Sequence, residues 1–163
     1  MSRLLKIDNY TISDDSDCYI IAEIGHNHQG DLEKCKALFK SAKDCGANAV
    51  KLQKRENHTL YTRAMFKEPY NSENAYATTY GEHRDFLEFG AEEYRELQSY
   101  AKELGITFFA TAFDINSADF LADLNMPAYK IASGDIKSTP LLKHVAKFGK
   151  PMFVSTGGAN MED

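Results

Sequence analysis

Residues Cys45-Gly46-Ala47-Asn48-Ala49-Val50-Lys51-Leu52-Gln53 end one helical stretch at a glycine and open a short apolar strand at once. The same joint recurs three times. Leu104-Gly105 leads into Ile106–Thr111, Leu124-Asn125 into Ala128–Ser133, and Phe148-Gly149 into Pro151–Thr156. Each strand ends in polar residues: Lys51 and Gln53, Thr111, Lys130 and Ser133, Ser155 and Thr156. Helices alternating with short apolar strands predict an α/β fold with parallel strands. Ligands in such folds bind beyond the carboxyl ends of the strands, so these polar ends mark one rim as the candidate site.

Upstream, Leu4–Ile7 and Tyr10–Ile12 flank Asp8-Asn9, a hairpin signal. Tyr19–Ile24 is the first apolar strand. Asp31 is placed to cap a helix whose Leu32, Cys35, Leu38, Phe39 and Ala42 share one face, and Gly46 closes it. A second helix runs from about Glu92 to Leu104, with Tyr94, Leu97, Ala101 and Leu104 facing inward. Ser117–Leu124 and Pro140–Phe148 supply two more. Residues 54–90 break the rhythm, and connections that long are commonly functional lids. Within them Tyr80–Phe89 is amphipathic enough for a short helix.

Alternation sorts the faces of the strands. Val50, Leu52, Phe108, Ala110, Tyr129 and Ile131 are predicted to lie under the helices, with Ile20, Ala22 and Ile24. Ile21, Glu23, Ala49, Lys51, Gln53, Thr107, Phe109, Thr111 and Lys130 fall on the opposite face. An open sheet covered on both faces is apolar on both, which this charged face is not. A (β/α)8 TIM barrel opening into a substrate pocket fits better, with residues 1–163 forming roughly its first half. That is a hairpin plus five strands, against the roughly 250 residues of a whole barrel. The expectation is a portion of a longer chain, or a barrel completed by another copy. Thr156–Asp163 reads as the opening of the next helix.

Lys+Arg of 19 against Asp+Glu of 24 gives a net charge of -5, which speaks against nucleic-acid or anionic-membrane partners. No apolar run approaches the roughly 20 residues of a membrane span. The opening Met1–Asp8 has no signal-peptide core. Cys18, Cys35 and Cys45 contain no C-x-x-C pair, and the last two fall too far apart on one helix to bridge. They predict a reduced, cytoplasmic protein with packing cysteines.

Lys51 and Lys130 point into one interior, where an unpartnered ammonium is costly. Glu23 can neutralise one of them. The other can take a substrate phosphate or carboxylate, with Thr111, Ser133 and Ser155 adding hydroxyls. A simple buried Glu–Lys pair is the competing reading. In the loop Ile24–Gly30, His26 and His28 can ligate metal, cap the helix or touch substrate. Asp135 is a candidate acid or base, or a helix cap. His83 and Arg84 are either lid residues or a solvated helix face, with the latter preferred on spacing.

Several stretches together resemble the catalytic domain of the sialic acid synthase family. They are Ile21–Gly30, Gly46–Gln53, Thr79–Arg84, Phe109–Asp114, Pro127–Asp135 and Gly149–Gly157, covering residues from about 19 to 163 in the family's order. Ala112 and Gly158 replace residues more often Pro and Met. The resemblance implies a (β/α)8 barrel that condenses phosphoenolpyruvate with N-acetylmannosamine or a related amino sugar, using a divalent metal, Mn2+ or Mg2+. It implies that Lys51, Thr111, Lys130, Ser133 and Ser155 hold phosphoenolpyruvate. Glu23 and Gln53 would meet the amino sugar, and Asp135 would transfer a proton. The family's metal histidines lie on later strands, so no metal ligand is expected within residues 1–163. A C-terminal antifreeze-like domain and a homodimer are implied for the full-length protein. Three other readings stay open: a synthase for legionaminic, pseudaminic or spore-coat sugars, a Schiff-base aldolase, or a fragment that only binds or assembles.

Overall fold

A computed structural model describes residues 3–162, so Met1, Ser2 and Asp163 of the terminal readings lie outside the described residues. Strands β1 (Leu4–Ile7) and β2 (Tyr10–Ser13) pair antiparallel with Ile7 opposite Tyr10, and Asp8 takes the tight turn at φ 49°. Five parallel strands follow: β3 (Ile21–Gly25), β4 (Ala49–Lys54), β5 (Thr107–Ala112), β6 (Tyr129–Ile131) and β7 (Met152–Val154). They lie side by side in chain order. Between them run α1 (Leu32–Asp44), α2 (Asn57–Leu60), α3 (Arg63–Phe66), α4 (Tyr80–Leu87), α5 (Ala91–Leu104), α6 (Ile115–Asp123) and α7 (Thr139–Ala146).

All four helix-to-strand joints turn through the left-handed region: Gly46 at φ 86°, Gly105 at 65°, Asn125 at 51° and Gly149 at 64°. Glycine reaches that region freely, and Asn is the side chain that best tolerates it. The starts of the helices are capped as their sequences dictate. Asp31 accepts the Lys34 amide at 2.9 Å and Asp114 accepts that of Ser117 at 2.7 Å. The Asp114 cap starts α6 two residues ahead of the Ser117 expected.

The parity of the strands holds. Val50, Leu52, Phe108, Ala110, Tyr129 and Ile131 share one core with Cys35, Phe39, Tyr94, Leu97 and Leu121 of the helices. On the other face Ala49, Phe109 and Ala128 pack with Ile7 of the hairpin. The hairpin therefore covers the amino-terminal end of that face. Thr107 Oγ1 pins it by donating to Asp8 Oδ2 at 2.9 Å.

Several details differ from expectation. Ile20 is exposed, and Leu104 is only partly buried. Of the cysteines, only Cys35 packs inside; Cys18 and Cys45 are exposed. The connection after β4 holds two single-turn helices besides α4, each too short for periodicity to show. After β7 the described residues form turns, not the helix expected from Thr156 onward. No helix among the described residues is long and apolar enough to cross a membrane.

The joints provide a test. Gly149→Val forces a β-branched residue to φ 64° and is expected to cost about 1–2 kcal/mol. Asn125→Gly is expected to stay within about 0.5 kcal/mol of wild type in urea unfolding.

Candidate functional site

Glu23, Lys51 and Thr111 come from three neighbouring strands. Glu23 stands directly opposite Lys51 across β3 and β4. Lys51 is 4% exposed, and its side chain leans toward the carboxyl end of the sheet. Its Nζ reaches Glu23 Oε2 at 2.8 Å, Thr111 Oγ1 at 2.5 Å and the Leu52 carbonyl at 3.1 Å. Those three acceptors match the three protons of an ammonium. Burial holds the Lys51 pKa below the usual lysine range against the pull of Glu23, and Lys130 adds to the depression.

Lys130, one strand further on, is opposite Thr111. Its Nζ donates to the Ile131 carbonyl at 2.6 Å, and its other protons have no recorded acceptor among the described residues. Burial lowers its pKa too, with Glu23 and Asp135 opposing. Both lysines, Glu23 and Ser155 line one cavity of about 380 Å3, floored by Ile21, Phe109 and Phe153. The Glu–Lys pair is thus real, and Lys130 stands outside it with donors to spare. A larger hollow of about 590 Å3 lies at the opposite end of the sheet, beside Asp8, Gly105 and Lys150. It too is lined by two lysines, Lys102 and Lys150, and one carboxylate, but both of those lysines are exposed.

The other candidates do not line the lysine cavity: Thr111 and Gln53 adjoin its lining residues, and Ser133 and Asp135 follow β6. Thr111 is 2% exposed, and its hydroxyl accepts from Lys51. Gln53 packs beside Glu23 at the rim: a Cβ on Gly25 would lie 3.4 Å from Glu23 Oε1 and 3.6 Å from Gln53 Nε2. Ser133 begins a 3-10 turn with Asp135 and faces Gly157. Asp135 opens onto a neighbouring hollow with Asp114, Leu60 and Ser138, and Ser138, not Asp135, precedes α7. Burial pushes the Asp135 carboxyl up, with Arg55 and Lys130 opposing.

Sequence reasoning missed a second polar cluster. Glu88 accepts Lys54 Nζ at 3.1 Å and the Arg55 amide at 3.2 Å, and faces His26 Nε2 at 3.4 Å. Burial would raise its carboxyl, but His26, Lys54 and Arg55 hold it below the ordinary range. Arg55 donates to Gln53 Oε1 at 2.8 Å and stacks 3.7 Å over the Phe113 ring. Its place two residues past Gln53 put it on the same face and was a usable signal; Glu88, inside the long connection, offered none. His83 is buried against Tyr70 and Tyr76, which corrects the solvated reading, while Arg84 lies over Tyr80.

The histidines of the first loop do not pair as ligands. His28 is 1% exposed, stacks on Phe89 at 4.2 Å, and accepts the Gly30 amide at Nδ1. Among the described residues no group of three or more His, Cys, Asp and Glu side chains converges as a metal site.

The geometry defines an α/β protein whose parallel strands present a pair of lysines, suited to an anion, at their carboxyl rim. Residues 38–163 match the NeuB family, and the chain belongs to that family. It is 46% identical over 145 residues to the N-acetylneuraminate-9-phosphate synthase of Mus musculus, covering 89% of this chain and 40% of that one. It is 40% identical over 147 residues to the N,N'-diacetyllegionaminic acid synthase of Legionella pneumophila, covering 90% and 41%. The crystal structure of the sialic acid synthetase from Leptospira borgpetersenii, in complex with citrate, superposes with a TM-score of 0.83 at 29% identity. That match covers 99% of this chain and 52% of the other. The chain thus spans about two fifths of the length of these curated relatives.

Burial, then His26, depresses the His28 pKa to about 4, against about 6.5 in an unfolded chain. Between those values the unfolded chain binds a proton that the folded one refuses. Stability is therefore full above about pH 6.5 and falls as pH drops toward about 4. His28→Phe is expected to flatten that fall by roughly 2 kcal/mol, compared by urea unfolding near pH 7 and about pH 4.5.

Proposed function

We propose that this chain is the N-terminal portion of a (β/α)8 barrel that condenses phosphoenolpyruvate with N-acetylmannosamine or a related amino sugar. The products are a nonulosonic acid and inorganic phosphate. The carrying observation is the cavity with two lysines, in which Lys130 keeps donors for an incoming anion. The relatives' names, sialic and legionaminic acid synthases, support the same product class.

Each residue has a part in this reading. Lys130, Lys51, Ser155 and Ser133 hold the phosphate and carboxylate of phosphoenolpyruvate, with Thr111 fixing Lys51. Such charge-assisted contacts from rigid strand ends need no reorganisation as charge shifts in the reaction. Glu23 and Gln53 meet the sugar. C3 of phosphoenolpyruvate bonds to the open-chain aldehyde carbon, water adds at C2, and phosphate leaves with C–O cleavage. Asp135, its carboxyl raised by burial, is suited to hand over a proton. Relatives of this kind imply a divalent metal, Mn2+ or Mg2+. In this reading its ligands lie on the later strands of a longer, cytoplasmic, homodimeric enzyme, as the family resemblance implies. Residues 1–163 alone then lack part of the machinery.

The engagement of all three Lys51 protons argues against a Schiff base at Lys51, which needs a free amine lone pair. The same reaction at Lys130 is tested by borohydride trapping with substrate, where a covalent adduct would overturn the phosphoenolpyruvate reading. A legionaminic, pseudaminic or spore-coat sugar would use the same lysines.

In the intact enzyme Lys130→Ala is expected to weaken phosphoenolpyruvate binding about 100-fold by calorimetry, with the melting temperature within a few degrees of wild type. Unchanged affinity would show the lysine to be structural. Lys51→Met is expected to abolish phosphate release yet cost under about 1.5 kcal/mol of stability, because Glu23 is 52% exposed and would not be stranded. Loss of folding would make Lys51 a structural residue.

A further inference from the structure

Arg55, the first residue after β4, has no part in the reading above, yet it is held at four points. Its amide donates to Glu88 Oε2 at 3.2 Å, and its guanidinium lies 3.7 Å over the centre of the Phe113 ring. One fork nitrogen, Nη1, faces His26 Nε2 at 3.5 Å. The other, Nη2, donates to Gln53 Oε1 at 2.8 Å. Glu88 and Asp135 oppose its charge, so no incoming anion is required to keep it there.

The contact with Gln53 decides which way that side chain faces. A primary amide has an accepting end and a donating end, and a half turn about its last bond exchanges them. A guanidinium carries five donors and no acceptor, so only Oε1 can lie against it. The reversed amide would set donor against donor. With Oε1 committed to Arg55, the Nε2 end is turned to the Gly25 side. A Cβ on Gly25 would lie 3.6 Å from Gln53 Nε2 and 3.4 Å from Glu23 Oε1. Gln53 Nε2 has no acceptor among the described residues, and Glu23 engages Lys51 through its other oxygen, Oε2. The remaining bond at Gln53 fixes only its main chain, whose carbonyl accepts the Tyr94 hydroxyl at 3.3 Å. Arg55 alone therefore sets the orientation of the amide.

We propose that Arg55 is a positioning residue: it locks Gln53 with its amide protons beside Glu23, so that they meet an acceptor oxygen of the amino sugar. The inference rests on the condensation reading above, in which Glu23 and Gln53 meet that sugar. An acceptor-only carboxylate oxygen and a pair of N–H donors then stand side by side for one reactant. Without Arg55 the amide turns freely between two states, one of which offers the sugar a carbonyl where it needs a donor. The stacking on Phe113 and the two flanking contacts hold the guanidinium in one place, which is what a fixed amide requires. The lysine cavity has no share in this, so phosphoenolpyruvate does not feel the change.

The test uses the intact enzyme, following phosphate release with phosphoenolpyruvate and either N-acetylmannosamine or its 6-phosphate, whichever reacts faster. Arg55→Met keeps an apolar stem over Phe113 and removes every donor. It is expected to raise KM for the sugar about 10-fold, with kcat within about 3-fold and KM for phosphoenolpyruvate within about 2-fold. Arg55→Lys, still a donor without an acceptor, is expected to recover part of the loss. In a Gln53→Ala background, Arg55→Met is expected to change the sugar KM by less than about 2-fold, because nothing is left to orient. An unchanged sugar KM in Arg55→Met, an equal rise in both backgrounds, or an equal rise for both reactants would overturn the proposal. Should Arg55→Met not fold, Arg55→Gln replaces it in the same comparisons, since a second amide can accept as well as donate. If phosphate is released with neither sugar, the condensation reading fails, and calorimetry with the same sugars judges the positioning by itself. Binding weakened about 10-fold by Arg55→Met, but not in the Gln53→Ala background, supports it; absent or unchanged binding rejects it.

Discussion

An ammonium buried to 4% exposure needs its charge matched and all its protons accepted, and the centre of this sheet is arranged around that demand. Lys51 draws its three acceptors from β3, β5 and its own strand, so the charge also ties the strands in register. The two lysines have come to differ as a result. Lys51 is fully engaged, whereas Lys130 is partly exposed and has one acceptor among the described residues. One cavity therefore holds a fixed positive field and a separate set of usable donors.

A second carboxylate plays the comparable part at the rim. Glu88 gathers His26 from the loop after β3 and Lys54 and Arg55 from the end of β4. It stands immediately ahead of α5, whose opening Gly90 amide is held by Glu93 at 3.0 Å. The long connection after β4 is thus anchored at its far end to the end of that strand.

Much of this was legible in the sequence because it follows from short-range rules. The joints at Gly46, Gly105, Asn125 and Gly149 all adopt the left-handed turn that their residue types favour. The alternation in Ala49–Gln53 separated Val50 and Leu52 from Lys51, since a strand's two faces obey parity alone. The same parity brought Glu23, Lys51 and Lys130 to one cavity. What stayed hidden depends on contacts across long separations. Glu88 meets Lys54 from 34 positions away, and α2 and α3 are single turns fixed by their surroundings. His83 reads as a solvated helix residue because nothing local announces the tyrosines that cover it. Asp135 follows β6 in the sequence, but which hollow it borders depends on how α6 and α7 pack.

Glu23 is 52% exposed, although its partner is almost fully enclosed. The two ends of that ion pair therefore differ in mobility. A carboxylate with one side in water can swing away at small cost, and the ammonium left behind would then present its vacated proton to whatever anion has entered. Exchanging one negative neighbour for another keeps the local charge constant. An anion could thus take the place of Glu23 beside Lys51 while the charge around the ammonium stays balanced.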